Sequence, residues 1–144
     1  MANPLTLDAS VFVSSVKSDE RGAAESLKLL AAIRELGIPM IEPSILLVEI
    51  SAAIARGTGD ESLAINIAGT ISRLAPMVMV NLDRRTALSA ARLAATHRLR
   101  GADAIYAAVA DQYGARLVTL DKEQLARSPK SLKPCTPAEI LKTL

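Results

Sequence analysis

Four acidic residues stand where a carboxylate is hard to dismiss as ordinary surface charge: Asp8, Glu49, Asp103 and Asp121. Asp8 ends the apolar run Leu5-Thr6-Leu7, and Asp121 ends Arg116-Leu117-Val118-Thr119-Leu120. Both runs read as strands, so both acids fall at carboxyl ends of strands, where an α/β sheet opens its ligand crevice. Glu49 has Ile45, Leu46, Ala52 and Ala53 three and four residues away, so on a helix its carboxylate rises from an apolar face. Asp103 opens the most apolar helical stretch of the chain, Gly101 to Tyr113. Plainer roles exist for each acid. Asp8, Asp103 and Asp121 could cap helices, Asp121 with Gln124 three residues on as in a capping box. Glu49 could extend its long side chain to the rim.

Their chemistry follows if they meet. Two negative charges about 5 Å apart repel by roughly 3 kcal/mol at an effective dielectric near 20. Three or four together either take up protons or bind a cation. Oxygen-only donors suit Mg²⁺ or Mn²⁺, whereas zinc prefers His and Cys, of which the chain has only His97 and Cys135. An ion held in this way can activate water and neutralise charge on a phosphodiester. Ser10 and Thr119 each stand two residues from one of the acids, placed to orient a ligand or to form a turn. His97, near a helix end among Ala94, Ala95 and Arg98, reads as a partner of the helix dipole.

Strands alternate with helices from end to end, which predicts one α/β domain over residues 1–144 with a central, mostly parallel five-stranded sheet flanked by helices. Ile38–Ile41 and Met77–Val80 supply strands two and three, and a weak fifth strand is expected near Leu132. The helices are read as a short one closing by Lys17, one capped by Ser18 or Asp19 and stopped at Gly37, then Ile45–Arg56 and Leu63–Leu74. Asp83 caps Arg84–His97, the Asp103 helix follows, and Thr136-Pro137 starts the last one.

Half of the residues are apolar, but Phe12, Tyr106 and Tyr113 are the only aromatics, which argues against a platform for stacking bases. No apolar run reaches the roughly 20 residues of a membrane span. With one cysteine and no secretory signal pattern, a cytoplasmic protein is expected. Residues 1–72 hold 5 Lys/Arg against 9 Asp/Glu, and residues 73–144 hold 12 against 6. The basic second half could follow a phosphate backbone, with Arg84, Arg85, Arg98, Arg100 and Lys122 as candidates, or it could be a solvated surface. Phosphate-binding loops, dinucleotide fingerprints and nucleophile elbows are missing.

Taken in order, Asp8 in L-D-A-S, Glu49 in L-V-E-I, Asp103 in G-A-D-A-I-Y-A-A and Asp121 in L-V-T-L-D resemble the PIN-domain ribonucleases. Within them the chain is most similar to the small VapC-type toxins of prokaryotic toxin–antitoxin systems, up to the closing T-P-A-E-I-L. The resemblance implies a Mg²⁺- or Mn²⁺-dependent endoribonuclease whose metal-site acids are Asp8, Glu49, Asp103 and Asp121, supported by Ser10 and Thr119. It also implies an RNA substrate, a homodimer, and a cognate small antitoxin whose tail enters the cleft. One departure is local: many relatives follow the last acid with Asp and Phe, where this chain reads Asp121-Lys122-Glu123-Gln124-Leu125, leaving the role of Glu123 open. The alternative function is a non-catalytic PIN-like RNA- or protein-binding domain, whose mark would be loss of one or more acids; all four are present. A phosphorelay receiver fits less well, because Asp83 reads as a helix cap and Lys133 lies in a Pro-rich segment.

Overall fold

The computed structural model describes residues 3–17, 19–74 and 76–144. Four short parallel strands form its centre: β1 (Leu5–Leu7), β2 (Met40–Pro43), β3 (Met77–Val80) and β4 (Arg116–Val118). They lie in the order β3-β2-β1-β4. Strand β1 is therefore interior, with β2 on one side and β4, from the other end of the chain, on the other. All three of its residues are buried, as expected of a parallel strand covered on both faces. The change of direction in strand order occurs at β1, and that is where an open α/β sheet forms its crevice.

Between the strands run α1 (Ala9–Ser15), α2 (Ala23–Leu36), α3 (Ile45–Thr58), α4 (Glu61–Ser72), α5 (Arg84–His97) and α6 (Gly101–Tyr113). Helix α7 (Lys122–Arg127), a 3₁₀ turn (Lys130–Leu132) and α8 (Pro137–Leu141) close the chain. Helix α6 lies across β1, β2 and β4, α5 pairs with α6, and α3 pairs with α4. The core is aliphatic, as the scarcity of aromatics requires: Leu7, Leu29, Ile33, Leu46, Ile50 and Leu117 are fully buried around Phe12 and Tyr106. Ala104, Ala107, Ala108 and Ala110 let α6 sit close on the strands.

Several expected caps are present. Asp83 accepts the amide of Thr86 at 2.8 Å, and Thr136 with Glu139 forms a complete capping box. Two expectations are corrected. Helix α2 is not capped by Asp19; it starts after Gly22, whose φ of 87° is left-handed and whose Cα faces Leu120, so that a Cβ there would come within 3.0 Å of Leu120 Cδ2. The cap expected at Ser18 lies outside the described residues. The fifth strand shrinks to a single parallel bridge between Cys135 and Val118, and Leu132 falls in the 3₁₀ turn. Pro129 and Pro134 explain this, since neither has an N–H to give to a ladder.

Candidate metal centre

Asp8 follows β1 directly and is 6% exposed. Although it occupies the position before α1, its side chain accepts no capping bond from that helix. It is instead held from below. Ser10 Oγ donates to Asp8 Oδ2 at 2.6 Å and Thr119 Oγ1 donates to the same oxygen at 2.9 Å. Each hydroxyl is fixed in turn by the loop after β4, since Leu120 N–H donates to Ser10 Oγ at 3.1 Å and Asp121 N–H donates to Thr119 Oγ1 at 3.0 Å. Burial pushes the Asp8 carboxyl above the usual range, these hydroxyls pull it back, and the negative charge of Asp121 adds to the push.

Asp103 lies in the first turn of α6 and is the electrostatic hub. Burial, and after it the charges of Asp8 and Asp121, raise its carboxyl from 3.8 to about 6, with Arg100 opposing and Glu49 adding to the rise. Its Oδ2 is buried and accepts no hydrogen bond. Glu49, on the second turn of α3, is raised by burial and by Asp8, and its Oε1 is likewise buried without a partner. The hydroxyl of Tyr106 lies near enough to Glu49 for each to perturb the other, yet neither group has hydrogen-bond geometry to the other. Asp103 thus lies within the fields of the other three sequence-selected acids.

Asp121 differs from the rest. Its Oδ1 accepts the Gln124 amide at 2.9 Å and caps α7, while its Oδ2 accepts Arg100 Nη2 at 2.8 Å. The cap is real, but the box is half-made, because the buried Gln124 amide group has no partner of its own. Arg100 also stands 3.4 Å from Asp103 Oδ2 and 3.4 Å from Glu123 Oε2. Behind it Arg127 Nη1 contacts Glu123 at 2.5 Å and the carbonyl of Arg98 at 3.0 Å. Arg98 ends α5 with φ 55°, a left-handed turn that redirects the chain towards α6. Arg100 is therefore part of the acid cluster. Arg85 is not: it shares a shallow depression with Asp111 and Gln112 at the far end of α6, roughly 12 Å along the helix from Asp103.

Spacing alone missed one residue of this region. Glu42 on β2 is completely buried, its Oε1 accepting the Leu7 amide at 2.6 Å and its Oε2 lacking a partner. Burial raises its carboxyl well above the usual range. The signal was the strand's own alternation, which puts Glu42 on the same face as buried Met40.

The donor set suits a hard cation: it consists of carboxylate oxygens, and Glu49 and Asp103 each offer a buried oxygen with no hydrogen bond. As they stand, no three acids among the described residues are gathered closely enough to grip one ion.

The family model of the PIN domain matches residues 5–130, which span every strand and all four acids. The chain is a PIN-domain protein. No curated protein matches it by sequence. Among solved structures, the PIN-domain fold seen here is similar to that of VapC20 of Mycobacterium tuberculosis, described as a sarcin–ricin loop cleaving toxin. That pair has a TM-score of 0.71 at 16% identity, covering 85% of this chain and 93% of the other. A protein from Pyrobaculum aerophilum gives 0.70 at 20% identity over 99% and 88%. VapBC from Salmonella typhimurium, solved bound to DNA, gives 0.67 at 19% over 95% and 99%. PIN-domain nucleases generally use divalent metal ions. No helix among the described residues is long and apolar enough to cross a membrane.

Proposed function

We propose that this PIN-domain protein is a metal-dependent endoribonuclease acting as the toxin of a toxin–antitoxin pair. The observation that carries the reading is a pair of buried carboxylate oxygens, Glu49 Oε1 and Asp103 Oδ2, that accept no hydrogen bond. They lie in a cluster where burial and the charges of Asp8, Asp121 and Glu49 push the Asp103 carboxyl up to about 6 against the pull of Arg100. A fold that accumulates such repulsion gains most when a doubly charged ion relieves it. Asp8, Glu49 and Asp103 would hold the ion, with Asp121 joining once Arg100 lets go. Mg²⁺ and Mn²⁺ both suit oxygen donors. Bound there, the ion supplies an activated water and neutralises charge on the scissile phosphodiester.

The chain's own residues do the positioning. Ser10 and Thr119 hold Asp8 Oδ2 so that its rotamer is set before any ligand arrives. Arg100, 64% exposed at its side chain, can turn from the acids to a phosphate oxygen of the substrate. Arg98, exposed at the end of α5, and Lys122, exposed at the start of α7, extend the positive rim. RNA is the substrate supported by the likeness to a sarcin–ricin loop cleaving toxin. A small antitoxin partner is supported by the likeness to a toxin–antitoxin complex from Klebsiella pneumoniae and to VapBC from Salmonella typhimurium. A homodimer, a cytoplasmic location and Mg²⁺ or Mn²⁺ as the ion complete the reading.

The test is cleavage of a cellular RNA pool by the purified protein with Mg²⁺, with Mn²⁺ and with chelator, beside Asp8→Asn. Cleavage that needs the ion and is lost in Asp8→Asn is expected. Equal cleavage by both proteins, or cleavage unaffected by chelator, defeats the proposal.

A further inference from the structure

Strand β1 keeps one neighbour to its end and abandons the other. Against β4 it stays paired through Leu5, Thr6 and Leu7, and the Asp8 amide still donates to Val118 O at 2.9 Å. Against β2 the register is the single pair Leu5 with Met40, in which Leu5 N–H donates to Pro39 O at 2.9 Å. In a regular parallel ladder the next donor, Leu7 N–H, would go to Ile41 O. It does not. Ile41 O accepts the Thr6 hydroxyl at 2.7 Å, and Leu7 N–H donates to Glu42 Oε1 at 2.6 Å. Two side chains have replaced one main-chain bond, and the strands part there.

Such a wedge is unfavourable as packing. A carboxyl inside a sheet loses its hydration, and Glu42 recovers only one bond, its Oε2 being left without a partner. An apolar β-branched residue is what a buried strand ordinarily carries at such a position. The benefit lies in what each strand leads to. β1 runs straight into Asp8, and β2 runs through Ser44 into α3, which carries Glu49. The gap between the ends of β1 and β2 therefore governs how far Asp8 stands from Glu49.

We propose that Glu42 is a positioning residue that, with Thr6, wedges β1 from β2 and so fixes the spacing of Asp8 and Glu49 for a shared divalent cation. The inference rests on the reading of those two acids as metal ligands. Glu42 itself, fully buried, reaches neither substrate nor solvent.

Three full-length variants test it: Glu42→Val, Glu42→Gln and Thr6→Val. Each is measured for Mn²⁺ affinity by calorimetry and for melting in chelator, and the crystal structure of Glu42→Val is compared with that of the wild type. Glu42→Val should melt in chelator no lower than wild type, with Leu7 N–H moved to Ile41 O and Asp8 nearer Glu49. Its Mn²⁺ affinity should fall about 10–100-fold, the range for groups that orient metal ligands. Glu42→Gln keeps an acceptor for Leu7 N–H and should bind Mn²⁺ as wild type does. Thr6→Val frees Ile41 O and should weaken binding in the same direction, which carries the test if Glu42→Val does not fold. Wild-type affinity in Glu42→Val or Thr6→Val, or an unchanged separation of Asp8 and Glu49 in Glu42→Val, overturns the wedge. Should the wild type itself take up no Mn²⁺, the metal reading fails, and the structure of Glu42→Val alone then decides for or against the wedge.

Discussion

Arg100 Nη2 donates to Asp121 Oδ2 at 2.8 Å, and the same guanidinium faces Asp103 Oδ2 at 3.4 Å. One tethered cation thus joins two acids that the sequence selects for a metal. Its charge is reinforced by both carboxylates and by Glu123. Arg100→Gln is expected to leave these acids uncompensated, lowering the melting temperature in chelator while raising Mn²⁺ affinity several-fold. Calorimetry on both proteins checks this; a weaker Mn²⁺ affinity in the variant contradicts it.

Asp103 makes stability depend on pH in a defined window. Its folded carboxyl titrates near 6, above the ordinary 3.8, so between about 4 and 6 the folded chain binds more protons than the unfolded one. Stability from this group is therefore fully present below about 4 and lost as pH rises to about 6, a change on the order of 2 kcal/mol. Asp103→Asn should flatten that slope in chelator. Metal affinity of the wild type should rise across the same window, because the ion competes with the proton. Melting and Mn²⁺ titrations at pH 5 and pH 7 measure both effects.

Ser10→Ala and Thr119→Val each remove one donor to Asp8 Oδ2 and one acceptor for a loop amide. A stability loss of about 1–3 kcal/mol is expected for each, from the amide left unpaired. Metal affinity should fall about 10–100-fold. Denaturant melts paired with Mn²⁺ titration separate the two consequences, and unchanged Mn²⁺ affinity in both variants contradicts the role given to the hydroxyls.

Tyr106→Phe tests the space behind Glu49. The Tyr106 hydroxyl is buried with no hydrogen-bond partner, so its removal deletes an unsatisfied group without changing the ring. Stability in chelator should stay the same or rise by up to about 1 kcal/mol. A clear loss on melting would show that the hydroxyl is bonded in solution.

Much of this arrangement was legible in the chain because its cues are local. Apolar runs ending in an acid marked β1 and β4, and Asp83 and Thr136 announced their helices by type and spacing. The fifth strand misled because Leu132 is apolar, while Pro129 and Pro134 decide what that segment can pair with. Asp121 could be read either as a cap or as a ligand, since its two oxygens face different partners. Strand alternation could have marked Glu42 as buried, but not its role: its partner Leu7 lies 35 residues away, and only the broken ladder between β1 and β2 reveals that. The arginines divided in the same way. Nothing local to Arg85 or Arg100 says which end of α6 each will meet.

On this reading Asp8, Glu49 and Asp103 share one cation. Anomalous diffraction from crystals of the full chain soaked in Mn²⁺ tests it most directly. An anomalous peak within coordination distance of these three carboxylates is expected, with Arg100 turned away from Asp103. Density for Mn²⁺ only elsewhere, or none while Arg100 still spans Asp103 and Asp121, would contradict it.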